Sequence, residues 1–304
     1  MLIAIASGKG GTGKTTIATN LAMSVEGEGI TLVDCDVEEP NAHLFINPFI
    51  QHKWKQYAYV PNVDLSKCTF CGKCTEICQF NAIMTIKDSV LVFPELCHGC
   101  KGCEFVCPDN AISSGQKEIG EISEGYRDGI RFVSGVLRIG EAMAPPLIKQ
   151  VKRSGNKNVF INAKSRNMIL DAPPGTSCPV VEVVKDADYV ILVTEPTPFG
   201  LYDLKLAVEM VRYLKKPFGL IINRSTIGNR DVWEYCKKED ITILMEIPDD
   251  TDIAKAYSKG EMMVNIYPEY KSKFKEMFSE IEKMIPEAKK ESLNNVQQEL
   301  INSH

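Results

Sequence analysis

Two groups of residues in this chain have the types and the spacing to do chemistry. The first is Gly8-Lys-Gly-Gly-Thr-Gly-Lys-Thr-Thr16. Its Gly8, Gly13, Lys14 and Thr15 stand at the fixed positions of G-x-x-x-x-G-K-[ST], and Gly10, Gly11, Thr12 and Thr16 fill out the loop. Glycines let successive backbone N–H groups turn inward on an anion, and a helix start adds partial positive charge. Lys14 can then reach β- and γ-phosphates, and the Thr15 hydroxyl can bind Mg²⁺. The second group is Cys68-x-x-Cys71-x-x-Cys74-x-x-x-Cys78, which recurs 29 residues later as Cys97-x-x-Cys100-x-x-Cys103-x-x-x-Cys107. Eight of the eleven cysteines lie in these two runs, a density that points to metal binding rather than disulfides in a reducing compartment.

The repeat extends past the cysteines, since Asn81-Ala-Ile83 matches Asn110-Ala-Ile112. This duplication resembles a bacterial two-cluster ferredoxin, in which thiolates at this spacing hold [4Fe–4S] cubanes. The resemblance implies that the fourth cysteine of each run serves the other cluster. One cluster would take Cys68, Cys71, Cys74 and Cys107, the other Cys97, Cys100, Cys103 and Cys78. Cys107 is followed by Pro108 as the pattern expects, whereas Cys78 is followed by Gln79. A zinc site would prefer two separated CxxC pairs. His98 is expected beside a cluster rather than as its ligand.

Lys9 adds a second lysine to the phosphate loop. With it the sequence resembles the deviant Walker A family, which includes MinD, ParA, the nitrogenase iron protein and the Mrp/Nbp iron–sulfur carriers. The resemblance implies an ATP-dependent dimer, homomeric or with a similar ATPase, in which Lys9 reaches the partner's nucleotide. It also implies that Asp36 orients or deprotonates the attacking water and that Asp34 stands behind the Mg²⁺. Asp171 becomes the Walker B aspartate and Asn223 the adenine reader, with Pro248 packing on the base. These assignments favour ATP over GTP.

Such a site needs a scaffold. Short apolar runs at 2–6, 30–34, 168–171, 189–194, 218–223 and 241–247 read as buried strands, with helical patterns between them. The expected fold is α/β, a mostly parallel doubly wound P-loop NTPase sheet with an inserted small α+β ferredoxin-like domain. The ATPase domain is expected at 1–58 and 116–286, the insertion at 59–115, and a disordered polar tail at 287–304. Residues 37–61 read as irregular and aromatic-rich, and 130–137 as a strand. Apolar residues at helical spacing in 269–284 suit packing on the sheet better than a membrane tail.

The net charge of −5 over 304 residues offers nothing to nucleic acid or an anionic membrane. No apolar run approaches the roughly 20 residues of a membrane helix, and no signal peptide fits ahead of the loop at Ser7. A cytoplasmic protein is expected, without nucleic-acid binding or stable membrane insertion. Cys35 and Cys236 read as core residues. Cys178, seven residues after Asp171, is open between a buried small residue, a transient iron or cluster ligand, and a redox contact. Unlike the nitrogenase iron protein, the stretch 108–170 supplies no second cysteine for a bridging cluster. Two functions follow: an ATP-gated electron carrier with a redox partner, or an assembly ATPase for iron–sulfur or other metal cofactors. A spatial organiser, the third class, would leave the cysteines unexplained.

Overall fold

The computed structural model describes residues 1–25, 27, 29–156 and 167–285; the tail expected at 287–304 lies outside them. The chain runs β1 (Leu2–Ala6), α1 (Lys14–Ser24), β2 (Ile30–Asp34), α2 (His43–Ile46) and β3 (Phe49–Val63). The cysteine segment follows as α3 (Lys73–Ile77), β4 (Ile83–Ile86), β5 (Ser89–Val92), a 3₁₀ turn (Pro94–Leu96) and α4 (Gly102–Phe105). Next come β6 (Ile112–Arg127), β7 (Ile130–Leu137), α5 (Pro145–Gly155), β8 (Asn167–Asp171), α6 (Cys178–Val184), β9 (Tyr189–Thr194) and α7 (Pro198–Tyr213). The chain then forms β10 (Phe218–Ile222), α8 (Asp231–Lys238), β11 (Ile243–Glu246), α9 (Thr251–Ser258), α10 (Met263–Ile266) and α11 (Pro268–Met284).

Nine strands form one sheet in the order β11-β10-β9-β1-β8-β2-β7-β6-β3. The seven from β11 to β7 are parallel, while β6 and β3 pair antiparallel at the edge. The apolar runs explain the layers. Side chains alternate along a strand, so β1 sends Ile3 and Ile5 to one face and Ala4 and Ala6 to the other. The first face is covered by α1, α10 and α11, whose Tyr270, Phe274, Met277, Phe278 and Ile281 are buried. The apolar stripe of the last helix therefore packs into the core. The second face is covered by α5, α6, α7 and α8 through Leu147, Val180, Leu204 and Val232. This is the expected doubly wound α/β architecture, open at the carboxyl ends of its strands.

One expectation is corrected. Of residues 37–61, read as irregular, those from 49 onward belong to a strand paired with β6 from Phe49↔Tyr126 to Val63↔Ile112, with register shifts between Ile50 and His52 and between Gln56 and Tyr57. Pairing with β7 begins only at Gly120, so residues 112–118 and their partners project beyond the sheet as a two-stranded arm. At about 3.3 Å per residue that projection is roughly 23 Å. The cysteine segment sits at its tip. The boundaries expected at 58/59 and 115/116 fall within one rung of each other on this arm, where Tyr59 pairs with Gln116 and both strands run through without a break.

Candidate functional site

The phosphate loop leaves β1 and enters α1 as the sequence requires. Gly13, at φ 96°, caps α1 in the left-handed region, and a Cβ there would lie 2.5 Å from Asn223 Nδ2. Gly8 has a different reason: a Cβ would sit 2.1 Å from the Asp203 carbonyl oxygen on α7. A cavity of about 410 Å³ opens in front of the loop, within the size range of small-molecule sites. Gly10, Gly11, Gly13, Lys14, Thr15, Thr16 and Asp36 line it, together with Asn223, Pro248 and Tyr257.

Below the loop sit the carboxylates. Asp171 ends β8 in register with Ile5 of β1 and Asp34 of β2, so it stands between the phosphate loop and the segment that follows β2 and carries Asp36, the first switch. It is 1% exposed, and neither oxygen meets a hydrogen-bond donor with good geometry. Burial pushes its carboxyl up to about 7; Thr15 and Lys14 pull it down, and Asp36 raises it further. Asp36 is pushed up to about 6, again first by burial, with Lys14 opposing. Burial lowers the Lys14 ammonium, which the Asp171 and Asp36 charges partly restore. An orphaned buried carboxylate beside a Thr hydroxyl, with a second carboxylate nearby, is the donor set of an Mg²⁺ site. Thr15, and Asp171 through the hydrogen-bonded shell, would hold the ion, and Mg²⁺ would neutralise phosphate charge.

Asp34 does something the sequence reading missed. Its oxygens accept the backbone N–H groups of Asp36 at 3.1 Å and Ala42 at 3.0 Å, folding the first switch over the strand end. Asn223 likewise has a second task, since its Nδ2 donates to the Thr12 carbonyl at 2.9 Å and braces the phosphate loop. Lys9 lies outside the cavity wall. Its ammonium pairs with Glu195 just past β9, and the other Glu195 oxygen lies 3.6 Å from Arg224. Arg224 in turn lies 3.7 Å from Asp249, and both of these line the cavity. Sequence reasoning did not find Glu195, because a single acid after a strand carries no spacing signal.

The eight clustered thiols are all free and gather into two groups. Cys68, Cys71, Cys74 and Cys107 line one small cavity; Cys78, Cys97, Cys100 and Cys103 line another. These are the two sets of four that the ferredoxin resemblance implied. Among the described residues no three Cys, His, Asp or Glu side chains converge tightly enough to hold a single metal ion. The backbone repeats with the sequence: Phe70 and Gly99, Gly72 and Lys101, and Asn81 and Asn110 all have positive φ. For Phe70 and Lys101 that conformation is costly. It accompanies amides aimed at sulfur: Phe70 N–H donates to Cys68 Sγ at 3.4 Å, and Ala82 and Ala111 donate to Cys78 and Cys107 at 3.3 Å. Such bonds stabilise thiolates and tune cluster potentials, so the donor chemistry fits [4Fe–4S] cubanes. His98 stacks on Phe80 at 3.6 Å beside the second group.

Cys35 and Cys236 are buried, as expected. Cys178 is exposed at the start of α6, which removes the buried-residue reading. Among the described residues no helix is long and apolar enough to cross a membrane.

The chain is similar to known proteins. An uncharacterized protein of Methanocaldococcus jannaschii is 33% identical over 266 residues, 86% of this chain and 90% of that one. The iron–sulfur cluster carrier protein of Aquifex aeolicus is 24% identical over 313 residues, 96% of this chain and 69% of that one. The structure of the septum site-determining protein MinD of Pyrococcus horikoshii, complexed with Mg-ADP, has the same fold. Its TM-score is 0.57 at 19% identity, covering 93% of this chain and 96% of that one. The CobQ/CobB/MinD/ParA nucleotide binding domain matches residues 3–264. With a glycine-rich phosphate loop and a parallel sheet in place, the chain belongs to that nucleotide-binding family.

Proposed function

We propose that this protein is a nucleotide-switched iron–sulfur ATPase that serves the assembly or carriage of iron–sulfur or related metal cofactors. The observation that carries the reading is the union, in one chain, of a nucleotide cleft and two groups of four thiols joined by unbroken strands. ATP lies along the cleft with its phosphates on Lys14 and its base toward Asn223 and Pro248. Asp36 positions the attacking water. Two chains dimerise around the nucleotides, with Lys9 serving the partner's site. The segment 59–115 holds two [4Fe–4S] clusters, and exposed Cys178 beside the nucleotide face handles a transient cluster. The likeness to a cluster carrier protein across 96% of the chain supports this reading.

A specific observation favours a second reading, ATP-gated electron transfer. Each thiol group supplies four ligands, which completes a cubane and leaves it no open position for hand-over. The two readings separate in one experiment on anaerobically purified protein. Assembly predicts ATP-dependent transfer of labelled iron to an apo-ferredoxin, lost in Cys178→Ala while the iron in 59–115 persists. ATP-stimulated reduction of an acceptor without iron transfer would instead establish electron delivery.

A further inference from the structure

The two thiol groups differ in what lies behind them. The group of Cys68, Cys71, Cys74 and Cys107 meets the arm only through the apolar side chains at its tip, Val63 and Ile112, and its polar neighbours come from its own segment. Thr85 Oγ1 lies 3.6 Å from Cys74 Sγ, and Asp109, which also lines that cavity, is held by Thr69 at 2.6 Å. The other group is backed by the arm. Tyr59 of β3 places its hydroxyl 3.9 Å from Cys103 Sγ, and its carbonyl oxygen accepts from Cys97 Sγ at 3.7 Å. The Lys101 ammonium lies 5.2 Å over the same ring. One residue of the ATPase-facing strand thus meets three residues of the second cysteine run.

The turn that delivers Cys97 is also clamped. Lys117 of β6 donates to the Pro94 carbonyl at 3.0 Å and pairs with Glu95 at 3.2 Å. The same ammonium pairs at 2.8 Å with Glu141, in the loop that follows β7. Lys117 and Glu141 side chains are 9% and 1% exposed, so this is a buried pair whose loss leaves an uncompensated charge. Arg138, which immediately follows β7, pairs with Glu95 at 3.2 Å. Its neighbour Leu137 donates its N–H to the Val37 carbonyl at 2.7 Å, directly after Asp36 of the nucleotide site. A shift of the first switch therefore acts on Leu137, and through Arg138 and Glu141 on the turn before Cys97.

Resting on the reading that both groups hold clusters, we propose that nucleotide state is felt at the cluster of Cys78, Cys97, Cys100 and Cys103, and not at the other. Tyr59 and Lys117 are its positioning residues. The test is an EPR-monitored redox titration of the full-length, anaerobically purified protein with and without Mg²⁺ and a non-hydrolysable ATP analogue. Tyr59→Phe marks the signal of this cluster and Thr85→Val marks the other, each through its lost hydroxyl-to-sulfur contact. The expected result is a nucleotide-induced shift in midpoint of the signal that Tyr59→Phe perturbs, with the other unmoved. Lys117→Met abolishes that shift while iron content and nucleotide affinity stay at wild-type levels. If Lys117→Met fails to fold or load iron, Arg138→Gln, at the more exposed Glu95 pair, is expected to reduce the shift at least by half. A shift of the Thr85→Val-sensitive signal, or equal shifts of both, overturns this inference and leaves the proposed function standing. No shift in either, with both clusters present, likewise overturns this inference alone, whereas absence of iron from both thiol groups overturns the reading on which it rests.

Discussion

Lys9 and Glu195 are held together by an ion pair within a single chain, and neither side chain lines the cavity. The lysine expected to serve a partner's nucleotide is thus engaged at home. Its acid is shared with Arg224, which lines the cleft. Removing the acid frees the lysine. Glu195→Gln is expected to tighten ATP-dependent dimerisation by roughly tenfold, the scale of one partly exposed charge pair, without changing ATP affinity of the monomer. Lys9→Ala is expected to lose the dimer. Sedimentation velocity at several protein concentrations measures both, and a Glu195→Gln protein that dimerises like wild type refutes the restraint.

Lys14 is the charge that phosphates must find. Lys14→Ala is expected to weaken nucleotide binding by on the order of 100-fold, the loss of a partly buried charge-assisted contact. Calorimetric titration with ATP reads it directly, and an affinity within about threefold of wild type would place the phosphates elsewhere.

The carboxylates set a pH dependence whose sign is fixed. Asp171 and Asp36 have folded values of about 7 and about 6, both above the ordinary carboxylate. Without metal the folded state therefore holds more protons than the unfolded one. Their contribution to stability is greatest below about pH 4 and declines until about pH 7, then levels off. Mg²⁺ requires the anions, so Mg²⁺-nucleotide affinity rises across the same window. Asp171→Asn is expected to raise the metal-free melting temperature at pH 8 by at least about 2 °C relative to wild type, with little gain at pH 4. The same change flattens most of the pH dependence of Mg²⁺ affinity. Equal effects on stability at the two pH values would refute the assignment.

Asn223 is expected to carry two separable contributions. Its amide braces Thr12 at 2.9 Å, and the proposed function sets the same residue, which lines the cavity, against the base. Losing the brace costs about 1 kcal/mol, so Asn223→Ala weakens GTP roughly fivefold. ATP weakens further, by more than about tenfold, because its amino group loses an acceptor. An unchanged GTP affinity would show that the loop needs no brace.

The crossed thiol groups predict an outcome that sequence order alone does not. Cys107 belongs to the second run but lines the cavity of the first. Cys107→Ser is expected to remove the cluster of Cys68, Cys71 and Cys74, lowering iron from about eight to about four atoms per chain. The signal marked by Thr85→Val should vanish and the one marked by Tyr59→Phe remain.

Much of this was legible in the chain because buried strands announce themselves. Residues 30–34, 130–137 and 189–194 are apolar runs, and they form strands at those limits. The arm was not legible. Phe49–Val63 alternates lysine, glutamine and aromatic residues, with most of its side chains exposed or half-buried, while β6 is rich in serine, glycine and glutamate. Their strand form comes from pairing with each other across some 60 residues of sequence, which no local pattern encodes. The cysteine spacing was legible in full, because an internal repeat is a long-range signal written locally. Lys9 was legible as a residue but not as a contact, since its partner Glu195 is 186 residues away.

The arm has one more consequence. At its tip Val63 stands opposite Ile112, and Asp64 donates to the Ala111 carbonyl at 2.8 Å, so the strands arrive side by side before the cysteine segment begins. Closing a long loop between ends that are already adjacent adds little to the entropy of folding. Apart from the pairs that Lys117 and Arg138 make with Glu95, the sheet is thus little affected by the length of what is inserted there. Residues 64–111 occupy a socket: a two-residue turn, or a different electron- or metal-handling cassette, could be joined at that rung without asking the sheet to change.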